Sequence, residues 1–477
     1  MSSPPSDPQS PYDPPQTKPT SQKPYLEAPV PTTKMPGGIP FIVANEAAER
    51  FSFYGMKAIL MIFMTEHLMS AAGMPDNMTE ERASMWIHLF TASAYFFPFL
   101  GALLADIFWG KYRTILTLSL FYCVGHAVLA IDGPSFGLST RTVLGIGLAL
   151  IAIGSGGIKS CVSAHVGDQF GKTNSHLIEK VFGWFYLSIN LGAFTSMMLT
   201  PWLMAEHGPH WAFGVPGILM GIATFLFWLG RNRFIHVPPG GKKFFKETFS
   251  KEGLQAVAKL SLIYLFVIIF WSVFDQSGSR WVGQAKRMDL FFLGKEWLPS
   301  QIQALNPILI LTLIPLYNYL LFPLVDRYLF KLTPLRKISI GLIITILAAA
   351  FPWWIEMQIL GDKQPSIGWQ ALAYFILTSA EVLVSVTVLE FSYTQAPRNM
   401  KSLLMGVMLL SISLGNILAA QINYLCDTNK NFLPGEQYYG FFVIIAAVNA
   451  VIFMLVARFY KPKTYLQEEL PEVPKEV

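Results

Sequence analysis

Within residues 37–66 of this 477-residue chain, Glu46, Glu49, Arg50, Phe53, Tyr54 and Lys57 recur at helical spacing. At about 100° per residue, Glu46, Arg50, Phe53 and Lys57 fall within about 60° of one another, with Glu49 and Tyr54 on the flanks. One stripe of an otherwise apolar helix therefore carries two acids, two bases and aromatic surface. Glu46 and Arg50 are i,i+4 partners, and ion pairing accounts for part of the pattern. Four charges on one face exceed what structural pairing requires. Burial favours the neutral carboxyl while a guanidinium beside it favours the carboxylate, so Glu46 or Glu49 can sit near a balance. A proton arriving there would release Arg50, and its departure would reclaim the arginine.

Other polar residues lie in apolar stretches, where an ionisable group costs at least about 2.5 kcal/mol and normally faces a bundle interior or a wet cavity. They are His88, Tyr95, Lys159, Asn190, Trp271, Asp275, Asn306 and Glu381. Each has a plain alternative. Lys159 follows a glycine run, where it would also serve as a buried partner of an acid. Asn190 and Asn306 would also serve as interhelical hydrogen bonds, and Tyr95 and Trp271 as core or interfacial aromatics. His88 lies two helical turns before Tyr95 on the same face, and an imidazole changes charge near neutral pH; packing is its alternative. Glu390 is nine residues beyond Glu381, about 180° around a regular helix, which assigns it to another face.

These groups need a scaffold at membrane depth. The chain is 53% hydrophobic and 14% charged, with mean hydropathy +0.43, too little polar surface for a soluble protein of this size. Apolar windows long enough to span a bilayer of about 30 Å occur near 37–66, 83–106, 114–131, 142–166, 181–204, 211–229, 257–275, 306–325, 338–355, 369–390, 403–425 and 439–458. An all-α membrane bundle follows, because lipid leaves no backbone group to be satisfied by water. Lys and Arg collect in alternate connections: Lys111 and Arg113; Lys172 and Lys180; Arg231, Arg233, Lys242, Lys243, Lys246 and Lys251; Arg327, Lys331, Arg336 and Lys337; Arg398 and Lys401. The positive-inside rule makes these connections and both termini cytoplasmic. The net charge of +5 is thus a topology signal and gives no reason to expect nucleic acid as a partner.

The expected organisation is a disordered proline-rich tail over 1–36, a six-helix bundle over 37–230, a basic linker over 231–256, a second bundle over 257–460 and a tail over 461–477. A turn with an acid before it and bases within it, Gly101 to Arg113, is echoed by Asp326-Arg327 through Arg336-Lys337. The 6+6 plan with related halves is the major facilitator arrangement. Cys123, Cys161 and Cys426 have no metal-ligand spacing. No HExxH, GxSxG or Walker pattern marks an enzyme, and no cofactor or metal is called for.

Glu46-Ala-Ala-Glu49-Arg50-Phe51-Ser-Phe-Tyr54-Gly55 resembles the ExxERFxYYG motif of the proton-dependent oligopeptide transporter family. Gly154-Ser-Gly-Gly-Ile-Lys159, Phe185-Tyr-Leu-Ser-Ile-Asn190-Leu-Gly192, Phe270-Trp271-Ser-Val-Phe-Asp275-Gln276, Asn306-Pro307 and Ser379-Ala-Glu381 are similar to its later signatures. The resemblance covers roughly 37–460. Phe53 replaces the first tyrosine of the family's pair, and the eleventh span lacks a tryptophan near Met408. The linker is too short for the extra helix pair of many bacterial members, and the ninth-to-tenth connection too short for the external domain of animal members, a prokaryotic-type pattern.

The resemblance implies a proton-coupled symporter in the cell membrane that imports di- and tripeptides. A short peptide is a zwitterion, so Arg50, Lys57 and Lys159 from one half and Glu381 from the other offer complementary charge, with Asn190 and Asn306 as neutral partners for an ammonium group. By resemblance, the carboxylate goes to Arg50 and Lys159 and the amine to Glu381, with Tyr54, Tyr95, Trp271 and Asn306 lining the pocket. Lys57 and Asp275 would form a gate, and Glu46, Glu49, Arg50 and His88 are the candidates for proton coupling. A relative carrying nitrate or another small anion would use the same cations without needing Glu381.

Overall fold

The computed structural model describes residues 25–241, 250–395 and 401–460. Twelve long helices form its frame: α1 Ile39–Glu66, α2 Glu80–Leu104, α3 Lys111–Leu129, α4 Thr140–Asp168, α5 Ile178–His207, α6 Pro209–Leu229, α7 Lys251–Phe274, α8 Leu305–Leu316, α9 Pro334–Leu360, α10 Gly368–Glu381, α11 Lys401–Thr428 and α12 Glu436–Phe459. Among the described residues ten helices are long and apolar enough to cross a membrane. The other two long ones are α1, which holds the charged stripe, and α5, which is rich in Ser, Thr and Asn.

Local chemistry sets the boundaries. The side chains of Thr79, Ser139 and Thr333 accept hydrogen bonds from the first-turn amides of α2, α4 and α9, satisfying donors that a helix start leaves open. Gly110, at φ 75°, turns the chain between α2 and α3, a backbone state that glycine adopts without strain. Three π turns extend or interrupt helices: Ala105–Trp109 after α2, Tyr317–Leu321 after α8 and Val382–Val386 after α10. The last two continue into helical segments Phe322–Tyr328 and Thr387–Gln395.

The buried apolar side chains of α1–α6 form one continuous core, and those of α7–α12 form separate cores. The glycine run of α4 brings backbones together: a Cβ on Gly101 of α2 would stand 2.0 Å from the Gly156 carbonyl oxygen. Small residues allow such close helix contact in membranes, and here they seat Lys159 one turn further along α4.

Two regions differ from the expected organisation. Residues 25–36, expected within a disordered tail, are held against the basic end of the first bundle. Tyr25 stacks on His236, the Leu26 carbonyl accepts from the His236 amide at 2.7 Å, and the Lys34 carbonyl accepts from the Asn174 side chain. The connection from α7 to α8, which lies between the apolar windows 257–275 and 306–325, folds into a short helix Arg280–Ala285, a hairpin pairing Phe291–Phe292 with Lys295–Glu296, and a turn Pro299–Ala304. Residues 1–24 and 461–477 of the tails, and Lys242, Lys243, Lys246 and Arg398, lie outside the described residues.

Candidate functional site

The charged stripe of α1 faces inward. Arg50 Nε donates to Glu46 Oε1 at 2.7 Å and lies 3.4 Å from Glu49 Oε2. Glu46 and Glu49 are fully buried. Lys159 reaches the same cluster from α4, its Nζ 3.4 Å from Glu49 Oε1 and 3.5 Å from the centroid of the Phe53 ring. Two acids and two bases therefore share one buried site, with zero net charge when all four are ionised. The ring centroid of Tyr95 on α2 lies 5.5 Å from Lys159 Nζ.

The second half supplies the opposite sign. Glu381, at the end of α10, accepts from Asn306 Nδ2 at 2.7 Å, and the same amide reaches Thr378 Oγ1 at 3.1 Å. Tyr54 stands within electrostatic reach of both Arg50 and Glu381. Asn190 donates to the Tyr186 carbonyl one turn back on α5. Tyr186, which sequence reasoning passed over, lies within the electrostatic reach of Glu381. Its signal was the i,i+4 relation to Asn190 inside the fifth-span motif. Trp271 packs edge-on against Phe270 and Phe274 in the second half.

A cavity of about 660 Å³ lies between the halves. Lys159, Ser160 and Ser163 of α4, Phe182 of α5, the segment around Glu390 and Met405–Leu409 of α11 line it, all toward the helix ends that carry the basic connections. Glu390 was assigned to another face of its helix. The π turn Val382–Val386 lies between Glu381 and Glu390, and the exposed Glu390 lines this cavity while Glu381 does not.

At the opposite end the halves are bolted together. Lys57 Nζ donates to Asp275 Oδ1 at 2.7 Å, and Asn416 Nδ2 donates to Asp275 Oδ2 at 2.8 Å. Because the carboxylate only accepts, the Asn416 amide oxygen is turned to His88, which donates from Nδ1 at 2.8 Å. His88 Nε2 then accepts from the Ser279 hydroxyl at 3.0 Å. His88 is therefore a member of this inter-half chain, and Tyr95 belongs to the central site. Further pairs join the halves: Arg82 with Asp427 at 2.9 Å, Arg280 with Glu81 at 3.3 Å and Lys286 with Glu66 at 2.5 Å. Ser279, Asn416 and these outer charges were not singled out in the sequence, since their partners lie hundreds of residues away.

Cations thus stand in one half and the Glu381 carboxylate in the other; of these the cavity wall includes Lys159, and the Lys57–Asp275 pair joins the halves. Among the described residues no group of His, Cys, Asp or Glu is placed to hold a metal ion.

Residues 112–251 and 250–439 match the sequence profile described as POT family. Peptide transporter family 1 of Drosophila melanogaster is 36% identical over 369 residues, 69% of this chain and 48% of that protein. Solute carrier family 15 member 2 of Homo sapiens is 35% identical over 401 residues, 74% of this chain and 53% of that protein. The chain spans about half the length of these relatives. Among solved structures, an auto-inhibited POT family peptide transporter superposes with a TM-score of 0.80 at 33% identity, covering 91% of this chain and 99% of that one. The POT family transporter PepTSo gives 0.79 at 35% identity, covering 90% and 99%.

Proposed function

The chain belongs to the POT family and has the major facilitator fold, and we propose that it imports di- and tripeptides together with protons by alternating access. The observation that carries the reading is partly buried charge of opposite sign in the two halves, Arg50 and Lys159 in the first and Glu381, held by Asn306, in the second. A zwitterionic peptide fits that arrangement end to end. Its carboxylate goes to Arg50, bidentately, and to Lys159, and its ammonium group to Glu381 beside Asn306. A nitrate carrier would have no use for a partly buried Glu381.

Proton coupling follows from charge balance. The Glu46, Glu49, Arg50 and Lys159 cluster is neutral, so it has no net attraction for an anion. One proton on Glu46 or Glu49 leaves a net positive site that the peptide carboxylate neutralises. Loss of the proton restores the internal pairs and expels the peptide. In a low-dielectric interior an uncompensated charge is costly, so the proton-loaded site without peptide and the peptide-loaded site without proton are both disfavoured. Coupling is the consequence.

The arrangement described here is an inward-facing one, with the cavity opening toward the cytoplasm and the Lys57–Asp275 pair closing the outside. On this reading the basic connections and both termini lie on the cytoplasmic side of the cell membrane, which the positive-inside rule supports. The test is uptake by the purified protein in liposomes. Di- and tripeptides should accumulate only with an inward proton gradient, and free amino acids, sugars and nitrate should not. Uptake of nitrate without peptide would replace this reading with that of a small-anion carrier.

A further inference from the structure

Beside Glu49, the first bundle encloses a second set of polar side chains that does not line the cavity. Asn45 precedes Glu49 by one helical turn on α1, and both are fully buried. Ser119, Tyr122 and His126 of α3 share one helix face and are also buried. Tyr122 is within the electrostatic field of Glu49, Arg50 and Glu46, and His126 within that of Glu49. The Tyr122 and His126 ring centroids are 5.2 Å apart.

These groups have an unusual property in common. Both amide atoms of Asn45, Glu46 Oε2, Ser119 Oγ, the Tyr122 hydroxyl and His126 Nε2 have no hydrogen-bond partner among the described residues. An orphaned buried polar group costs about 1–3 kcal/mol, and protein interiors meet that cost with buried water making about three hydrogen bonds. Orphans on α1 and α3 within one bundle core create the conditions for a small water cluster. The tautomer of His126 is also set. Its Nδ1 lies 3.4 Å from the Phe213 carbonyl, which can only accept, so Nδ1 carries the hydrogen and Nε2 presents a free lone pair.

We infer that His126 Nε2 is a second proton-holding site, joined to Glu49 by water that Asn45, Ser119 and Tyr122 keep in place. The inference rests on proton-coupled transport as proposed above. In the transfer, the O–H bond of the Glu49 acid breaks as a bond forms to water, and a water O–H bond breaks as N–H forms at His126 Nε2. The products are a carboxylate and an imidazolium, which attract, and no co-reactant is needed. The charged and titratable groups facing His126 are Tyr122 on its own helix, at 5.2 Å between ring centroids, and Glu49 on α1. From α6 come the Phe213 carbonyl and, at the far end, the exposed His210. The proton thus has a station inside the bundle that a bound peptide does not block.

The experiment combines histidine-ring NMR of the full-length protein in lipid with transport. One ring signal, identified by its loss in His126→Asn, should titrate within the pH range over which the protein stays folded, and its midpoint should move in Glu49→Gln. In His126→Asn and Tyr122→Phe, peptide binding and exchange at equal pH should persist while the initial gradient-driven rate falls roughly tenfold. A His126 signal that does not titrate in that range, or wild-type gradient-driven rates in both variants, overturns the inference. Wild-type protein that shows no gradient-driven peptide uptake would instead remove the transport reading, an outcome separable from the NMR titration.

Discussion

The Lys159 ammonium stands 3.5 Å from the centroid of the Phe53 ring. The position at which the first-helix motif lacks its hydroxyl thus gives the cation an aromatic face. A desolvated cation–π contact contributes about 2 kcal/mol, comparable to the hold that Glu49 exerts from 3.4 Å. Lys159 is therefore shared between the ring and the carboxylate, and a peptide carboxylate competes with a divided hold.

Phe53→Leu keeps apolar volume and removes the ring. Lys159 should then settle on Glu49, and dipeptide binding measured by calorimetry should weaken about threefold to thirtyfold, the equivalent of roughly 0.7–2 kcal/mol. Phe53→Tyr should bind nearly as wild type. Unchanged affinity in Phe53→Leu would show that the ring only packs.

The acids of the stripe should separate binding from coupling. With Glu46→Gln or Glu49→Gln the cluster carries a permanent positive charge, the state that a proton otherwise creates. Peptide exchange between equal-pH compartments should continue, and accumulation driven by a proton gradient should vanish. If both variants accumulate peptide normally, the coupling proton resides elsewhere, and His88 becomes the next residue to test.

Much of this architecture was readable because the signals are local. Each apolar window needed only its own composition, and the stripe Glu46, Glu49, Arg50, Lys57 needed only the helical period. What escaped was non-local or broke a period. The π turn Val382–Val386 interrupts the regular helical count between Glu381 and Glu390, and no local residue pattern announces an extra residue in a turn. The Asn416 bridge between His88 and Asp275 joins three helices and both halves of the chain. The folded connection Arg280–Ala304 is held by such distant partners as Glu81 and Glu356. Phe53 could be read as a missing hydroxyl, but not as a seat for Lys159, whose approach depends on the α2–α4 glycine contact.

The outer closure should respond to a single charge. Asp275 accepts from Lys57 and from Asn416, so Asp275→Asn leaves a buried ammonium without its counter-charge. Stranding one member of a buried pair costs about 3–5 kcal/mol, and the cost falls only on the outward-closed state. Spin labels at Met74 and Lys363, in a background lacking Cys123, Cys161 and Cys426, should report longer and broader distances in Asp275→Asn. Adding Lys57→Gln should restore part of the closed population, because the stranded charge is gone. Distances identical to wild type in the single variant would assign closure to Arg82–Asp427, Arg280–Glu81 and Lys286–Glu66.

Glu381 should read the amino terminus of the peptide. It projects from the second half, it is held by Asn306 at 2.7 Å, and its sign is opposite to that of Arg50 and Lys159. Glu381→Gln preserves size and keeps a hydrogen-bonding group against Asn306, so the cavity wall should stay in place while the charge is lost. A charge-assisted hydrogen bond contributes roughly 1.5–3 kcal/mol, which predicts a loss of about ten- to a hundredfold in affinity for ordinary dipeptides. Dipeptides with a blocked amino terminus carry no ammonium group; they should bind wild type poorly and lose little more in the variant. The competing role is a purely electrostatic one, in which Glu381 balances the cations and shapes the site without touching substrate. That role predicts an equal loss for free and blocked peptides, because the site's field changes for both. Calorimetric titration of the two ligand classes against both proteins separates the roles, and an equal loss would take Glu381 out of the substrate contact.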